Sequence, residues 1–224
     1  MGSYTDQEEM KEIRNEIIEY MPSMDSEDEI KRIDIKNYRY IQSRIDEIDF
    51  EELGIDTDKV PEVRDKTVRY YHKFRDKMKM GGRDKENVVA ICLYQVLLEE
   101  KIPILTSEFM DKMSVDLKES CFYRIRREFC RELDLPYNVD RSEEFLRRYL
   151  DELGFSPGPG FYKRCLEELE QVDRRDMSDH VLAVVVINIV KEIESERSFT
   201  QYDLNDVSGV SRVTIRQRTF EFLD

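Results

Sequence analysis

The stretch Val88-Val89-Ala90-Ile91-Cys92-Leu93-Tyr94-Gln95-Val96-Leu97-Leu98, followed ninety residues later by Val181-Leu182-Ala183-Val184-Val185-Val186-Ile187-Asn188-Ile189-Val190, decides the fold. Both runs are apolar on nearly every side of a helix. Such a helix belongs at a centre, with other helices packed around it. Neither run approaches the ~18–20 apolar residues that a membrane span requires. Pro103 follows the first, and Asn188 breaks the second.

Outward from these two centres, apolar residues recur at helical rather than alternating spacing. With only 8 Gly and 6 Pro in 224 residues, the chain is predicted to be all-α. Ile13, Ile17, Ile18 and Met21 draw a stripe on a helix from about Asp6 to Tyr20, which Pro22 ends, and Ser26-x-x-Glu29 forms a capping box for a second helix. A third runs from Tyr38 through Ile41, Ile45, Ile48 and Leu53 to Gly54. Pro61 opens a helix through Val63, Val68, Tyr71 and Phe74, and Gly81-Gly82 precedes the first central helix. Thr106 caps a short helix, and a longer one runs through Leu117, Phe122, Ile125, Phe129 and Leu133 to Pro136.

The order then recurs. Ser142 begins a helix that ends at Gly154, Pro159 introduces the next, Ser178 caps the second central helix, Thr200-x-x-Asp203 starts a short one and Ser211 starts the last. Aligning Tyr94 with Ile187, Thr106 with Thr200, and 114–116 with 209–211 gives two copies of one unit, an internal duplication. The predicted organisation is an acidic helical extension (1–39) and two five-helix repeats (40–137 and 138–224).

Composition narrows the function classes. Lys and Arg total 36 against 50 Asp and Glu, for a formal charge of −14. Residues 1–60 hold 18 acids and 8 bases, so most of the excess lies in one quarter of the chain. A basic coat over the whole molecule is excluded, while local basic faces are not. Cys92, Cys121, Cys130 and Cys165 form no C-x-x-C pair, and two histidines are too few for a histidine-based site, so no metal is predicted. No cofactor is predicted either. Pro157-Gly158-Pro159-Gly160 lacks the Lys-Ser/Thr of a phosphate loop, and acidic pairs such as Glu51-Glu52 and Glu143-Glu144 are ordinary helix surface, so the chain is not read as an enzyme. The acidic N-terminus is unlike a signal peptide, and an intracellular, cytoplasmic protein is expected.

Chemistry concentrates in residues 200–218. A capped short helix, Gly209 where the chain reverses, Val210 filling the angle and Ser211 capping the next helix make up a helix-turn-helix. Ile215 faces the core. Arg212, Val213 and Arg216 project outward from the N-terminal end of the second helix, where such a helix meets base edges. Residues 208–220 carry three arginines and no acid.

Gly81-Gly82-Arg83 with Val89–Tyr94, and Thr200-Gln201 with Gly209–Arg216, resemble the two cyclin-box repeats of the TFIIB family, including its archaeal members. The resemblance implies a cyclin-like fold that clasps TATA-binding protein on double-stranded promoter DNA. It further implies that the positions of Val213, Thr214 and Arg216 read DNA beside the TATA box, with Arg212 and Arg218 at phosphates. Where the family has a Gly-Arg pair in the first repeat, this chain has Lys118-Glu119-Ser120-Cys121-Phe122. Arg124, Arg127 and Arg131 come next on one helical face and are candidate DNA contacts in its place. Asn205 stands where a helix-turn-helix usually has Ala or Gly. A Cys-rich zinc ribbon is missing from these residues, so the expectation is a TFIIB-like regulator that does not recruit polymerase that way. The competing reading is a cyclin-box adaptor that binds a protein and no DNA. The acidic extension either covers the arginine faces or is a solvated helical addition.

Overall fold

The computed structural model describes residues 41–77, 85–154 and 159–223, apart from the single residues 42, 175 and 197. The readings made on residues 1–40, on Gly81-Gly82-Arg83 and on Pro157-Gly158 lie outside the described residues. Among the described residues there is no strand, and the fold is all-α.

The helices are α1 (Val60–Lys77), α2 (Lys85–Glu99), α3 (Thr106–Lys112), α4 (Glu119–Leu133), α5 (Ser142–Glu152), α6 (Pro159–Gln171), α7 (Asp179–Glu194), α8 (Gln201–Ser208) and α9 (Arg212–Leu223). They fall into two compact units. The first runs to Glu100 and includes Thr106–Tyr137, and the second joins Lys101–Leu105 to the chain from Asn138 onward.

In the first unit α2 is the centre, buried without interruption from Val88 to Leu98. Tyr94 packs against Phe109 of α3 and Phe122 of α4, with ring centroids 4.9 and 5.4 Å away, and Phe74 of α1 meets Phe129 of α4 at 5.1 Å. Each large side chain buried this way stabilises the fold by roughly 1.5–3 kcal/mol. In the second unit α7 takes the same part, surrounded by Phe145, Leu146, Tyr149 and Leu150 of α5, Phe161 and Cys165 of α6, Leu204 of α8 and Ile215 of α9.

Each central helix buries one amide, and each amide reaches the last helix of its unit. Gln95 Oε1 accepts from Arg126 Nε (3.0 Å) and Cys130 Sγ (3.2 Å), while its Nε2 donates to the Pro136 carbonyl (2.9 Å). Asn188 Nδ2 donates to Thr219 Oγ1 at 3.0 Å. Gln95–Arg126 and Asn188–Thr219 are each 31 residues apart. Arg126 is therefore a core residue, with its guanidinium 4.3 Å from the Tyr137 ring and 5.6 Å from that of Tyr94.

Three local expectations change. The helix expected to run to Gly54 ends at residue 46, and the chain then turns with Phe50, Leu53 and Ile55 buried. The Asp49 carboxylate accepts the Glu52 N–H at 3.0 Å, a turn bond that competes with helix continuation. Thr106 is the first residue of α3 rather than its cap. Its hydroxyl lies 2.7 Å from the phenols of both Tyr94 and Tyr123, and this buried chain of hydroxyls leaves it no capping role. Ser178 does sit at the N-cap of α7, but its hydroxyl meets His180 Nδ1 at 3.1 Å and caps no backbone N–H.

Candidate nucleic-acid interface

The helix-turn-helix is built by local hydrogen bonds. Thr200 accepts the Tyr202 and Asp203 N–H groups at 3.2 and 3.4 Å, and Asp203 accepts the Thr200 N–H at 2.6 Å, completing a reciprocal capping box. The Thr200 hydroxyl and then its N–H, both donating to Asp203, hold that carboxyl below its usual range. Gly209, at φ 69°, ends α8 with its N–H on the Asn205 carbonyl at 2.8 Å. The extra bulk of Asn205 has a use, since its Nδ2 donates to the Val210 carbonyl at 3.0 Å and ties the turn shut. Ser208 Oγ accepts the Val210 N–H at 3.1 Å, and Ser211 Oγ accepts the Thr214 N–H at 3.1 Å to start α9. Val210, Ile215 and Thr219 are buried.

The opposite side of α9 is open. Val213 is 75% exposed, and Arg216, Phe220 and Leu223 continue the same stripe at helical spacing. Arg216 is exposed and makes no ion pair with a described residue. Arg212 lies flat against Tyr202, with the guanidinium carbon 3.7 Å from the ring centroid. Thr214 is half-buried, its hydroxyl 2.8 Å from that of Ser211. Arg218, about 200° round the helix from Arg216, pairs with Glu221 at 3.0 Å. The α9 arginines therefore differ: one is stacked, one is open and one is neutralised within its own helix.

In the first unit, Arg124, Arg127 and Arg131 are exposed along one side of α4. Arg131 pairs with the neighbouring Glu132 at 3.0 Å, and Arg127 approaches the Tyr137 ring at 5.8 Å. Arg124 makes no ion pair with a described residue.

Two residues of this region carry no signal in the local sequence. Tyr202 has the pattern of an ordinary helix-surface residue, and Thr219 is a small polar residue between Arg218 and Phe220. Only the polar Asn188 inside an apolar run signals that something on α9 must satisfy it.

Among the described residues no His, Cys, Asp and Glu group is arranged to hold a metal ion. Burial pushes the Cys165 thiol up to about 12, with Glu194 and Glu168 adding to it. Burial likewise raises Cys92 and Cys130, so none of the three is disposed to act as a thiolate. No helix among the described residues is long and apolar enough to cross a membrane.

No protein-family profile matches the chain. It is 29% identical over 168 residues to transcription initiation factor IIB of Pyrococcus horikoshii, covering 72% of this chain and 54% of that protein. It is 28% identical over 166 residues to the factor IIB of Archaeoglobus fulgidus, covering 72% and 49%, and 28% over 160 residues to that of Saccharolobus shibatae, covering 70% and 51%. The chain is thus similar to archaeal transcription initiation factor IIB over most of its own length, and its all-α architecture agrees with a cyclin-like fold. It spans about half the length of these relatives. They are named as initiation factors, not as enzymes.

Proposed function

We propose that this chain is a TFIIB-like transcription regulator that binds promoter DNA, TATA-binding protein or both through two cyclin-like repeats, 40–137 and 138–224. It acts inside the cell, at the nucleoid. Polymerase recruitment through a zinc ribbon is not among the tasks of these residues. The reading of two repeats is supported by the matched amide bonds 31 residues long and by the left-handed residues Ser114 and Gly209, which stand at aligned turns.

One observation carries the DNA reading. In an acidic chain, the outward face of α9 holds the open Arg216 beside the bare Val213, on a helix whose other side is anchored in the core. A guanidinium donates to a guanine edge or a phosphate, and an apolar side chain contacts a thymine methyl. Arg124, Arg127 and Arg131 supply a second cationic face for backbone contacts.

The test is a salt titration of binding to promoter fragments, with and without TATA-binding protein. DNA binding predicts affinity that falls by orders of magnitude between about 50 and 200 mM salt if many phosphates are neutralised. Arg216→Ala should weaken binding clearly. A flat salt profile and an unaffected variant would leave the second reading, an adaptor that binds protein alone. One observation favours that reading: Phe220 and Leu223, 64% and 48% exposed, lie on the same outward stripe.

A further inference from the structure

The family resemblance places Arg212 at a phosphate. We infer instead that Arg212, held flat by Tyr202, reads a guanine base of the DNA, with Tyr202 as its positioning residue. This rests on the DNA reading above and adds to it a base identity and the residue that enforces it.

The pair is not a core contact. Tyr202 is 62% exposed, at the start of α8, and Arg212 is the first residue of α9, so the stack bridges the two helices on their open side. The separation of 3.7 Å between guanidinium carbon and ring centroid means that one face of the guanidinium plane is covered. Its N–H groups are not committed, because half-buried Arg212 donates no hydrogen bond to, and makes no ion pair with, a described residue. An arginine in a flexible solvated state loses conformational freedom when it binds. One already pressed on a ring has lost much of that freedom, and its two parallel N–H donors keep a fixed direction. Guanine O6 and N7 are two coplanar acceptors that a planar fork meets bidentately in the major groove. A phosphate can also accept such a fork bidentately, so the fixed plane suits either acceptor and the position on the helix decides between them. That position favours the base, because the first turn of the second helix is the part that reaches base edges.

The other arginines of α9 lack this geometry. Arg218 is committed to Glu221. Arg216 is open but packed on no described ring.

The experiment selects duplexes from a randomised DNA pool with the full chain. It then measures affinity and salt dependence for the selected duplex and for versions with each G·C pair replaced, using the native chain and the R212A, R212K, Y202A and Y202F variants. Tyr202 is exposed and Arg212 half-buried, and circular dichroism checks that each variant is folded. The expected result is one guanine whose replacement costs the native chain about tenfold in affinity. R212A and R212K lose that preference, Y202A loses most of it with its salt slope unchanged, and Y202F, which keeps the ring, retains it.

Two results overturn the proposal while leaving DNA binding intact. One is R212A weakening all duplexes equally with a salt slope shallower by about 1, the mark of a phosphate contact. The other is Y202A discriminating as well as the native chain. A native chain that binds no duplex at any salt concentration overturns the DNA reading itself, and this assignment with it.

Discussion

Thr219 decides how firmly the outward face of α9 is backed. Thr219→Val removes the acceptor of Asn188 Nδ2 inside the core, and a buried donor left unpaired costs about 1–3 kcal/mol. Urea unfolding should show that loss, and Thr219→Ser, which keeps the oxygen, should recover most of it. Gly209 tests the turn. A Cβ there would meet nothing within 4 Å, so Gly209→Ala costs only the left-handed backbone, about 1–2 kcal/mol in the same assay. At this scale the sequence is legible where the requirement is local: Gly209, Ser211 and the Thr200–Asp203 pair announce themselves through backbone chemistry. Tyr202 does not, because an exposed tyrosine on a helix surface has no meaning until the residue ten positions later is brought over its ring. Thr106 misleads for the same reason, since the phenols that claim its hydroxyl come from α2 and α4.

Helix α8 is eight residues long and cannot persist without its cap and its packing. Thr200→Ala should cost about 1 kcal/mol, seen as a lower unfolding midpoint. The capping box also sets a pH dependence. Asp203 has a depressed carboxyl in the folded state, so its contribution is fully present above the unfolded value near 3.9 and is lost as pH falls through the folded value. The gap in urea midpoint between the native chain and Asp203→Asn should therefore hold at neutral pH and close below about pH 4. His180 acts in the same direction at higher pH. Burial, then Arg141, lowers its pKa, so the stability it lends is lost as pH falls from about 6.5. Helix periodicity locates each of α1 to α9, whereas the helix end near residue 46 is set by the Asp49 turn and is invisible to an apolar count that continues through Phe50 and Leu53.

Across the molecule, burial sorts the four thiols. Native alkylation followed by peptide mapping should label Cys121, which is partly exposed, well before Cys92, Cys130 and Cys165, and denaturant should abolish the difference. The sequence by itself determined the all-α class, the two apolar centres and the helix-turn-helix, because each arises from which residues recur every three to four positions and from caps satisfied within a few residues. Only the tertiary structure decided which arginines remain available: Arg126 is taken into the core by Gln95, Arg218 is neutralised by Glu221, Arg212 is laid on Tyr202, and Arg216 is left open. Charge read along a chain counts every guanidinium alike, but its capacity to meet DNA depends on partners that folding brings within a few ångströms.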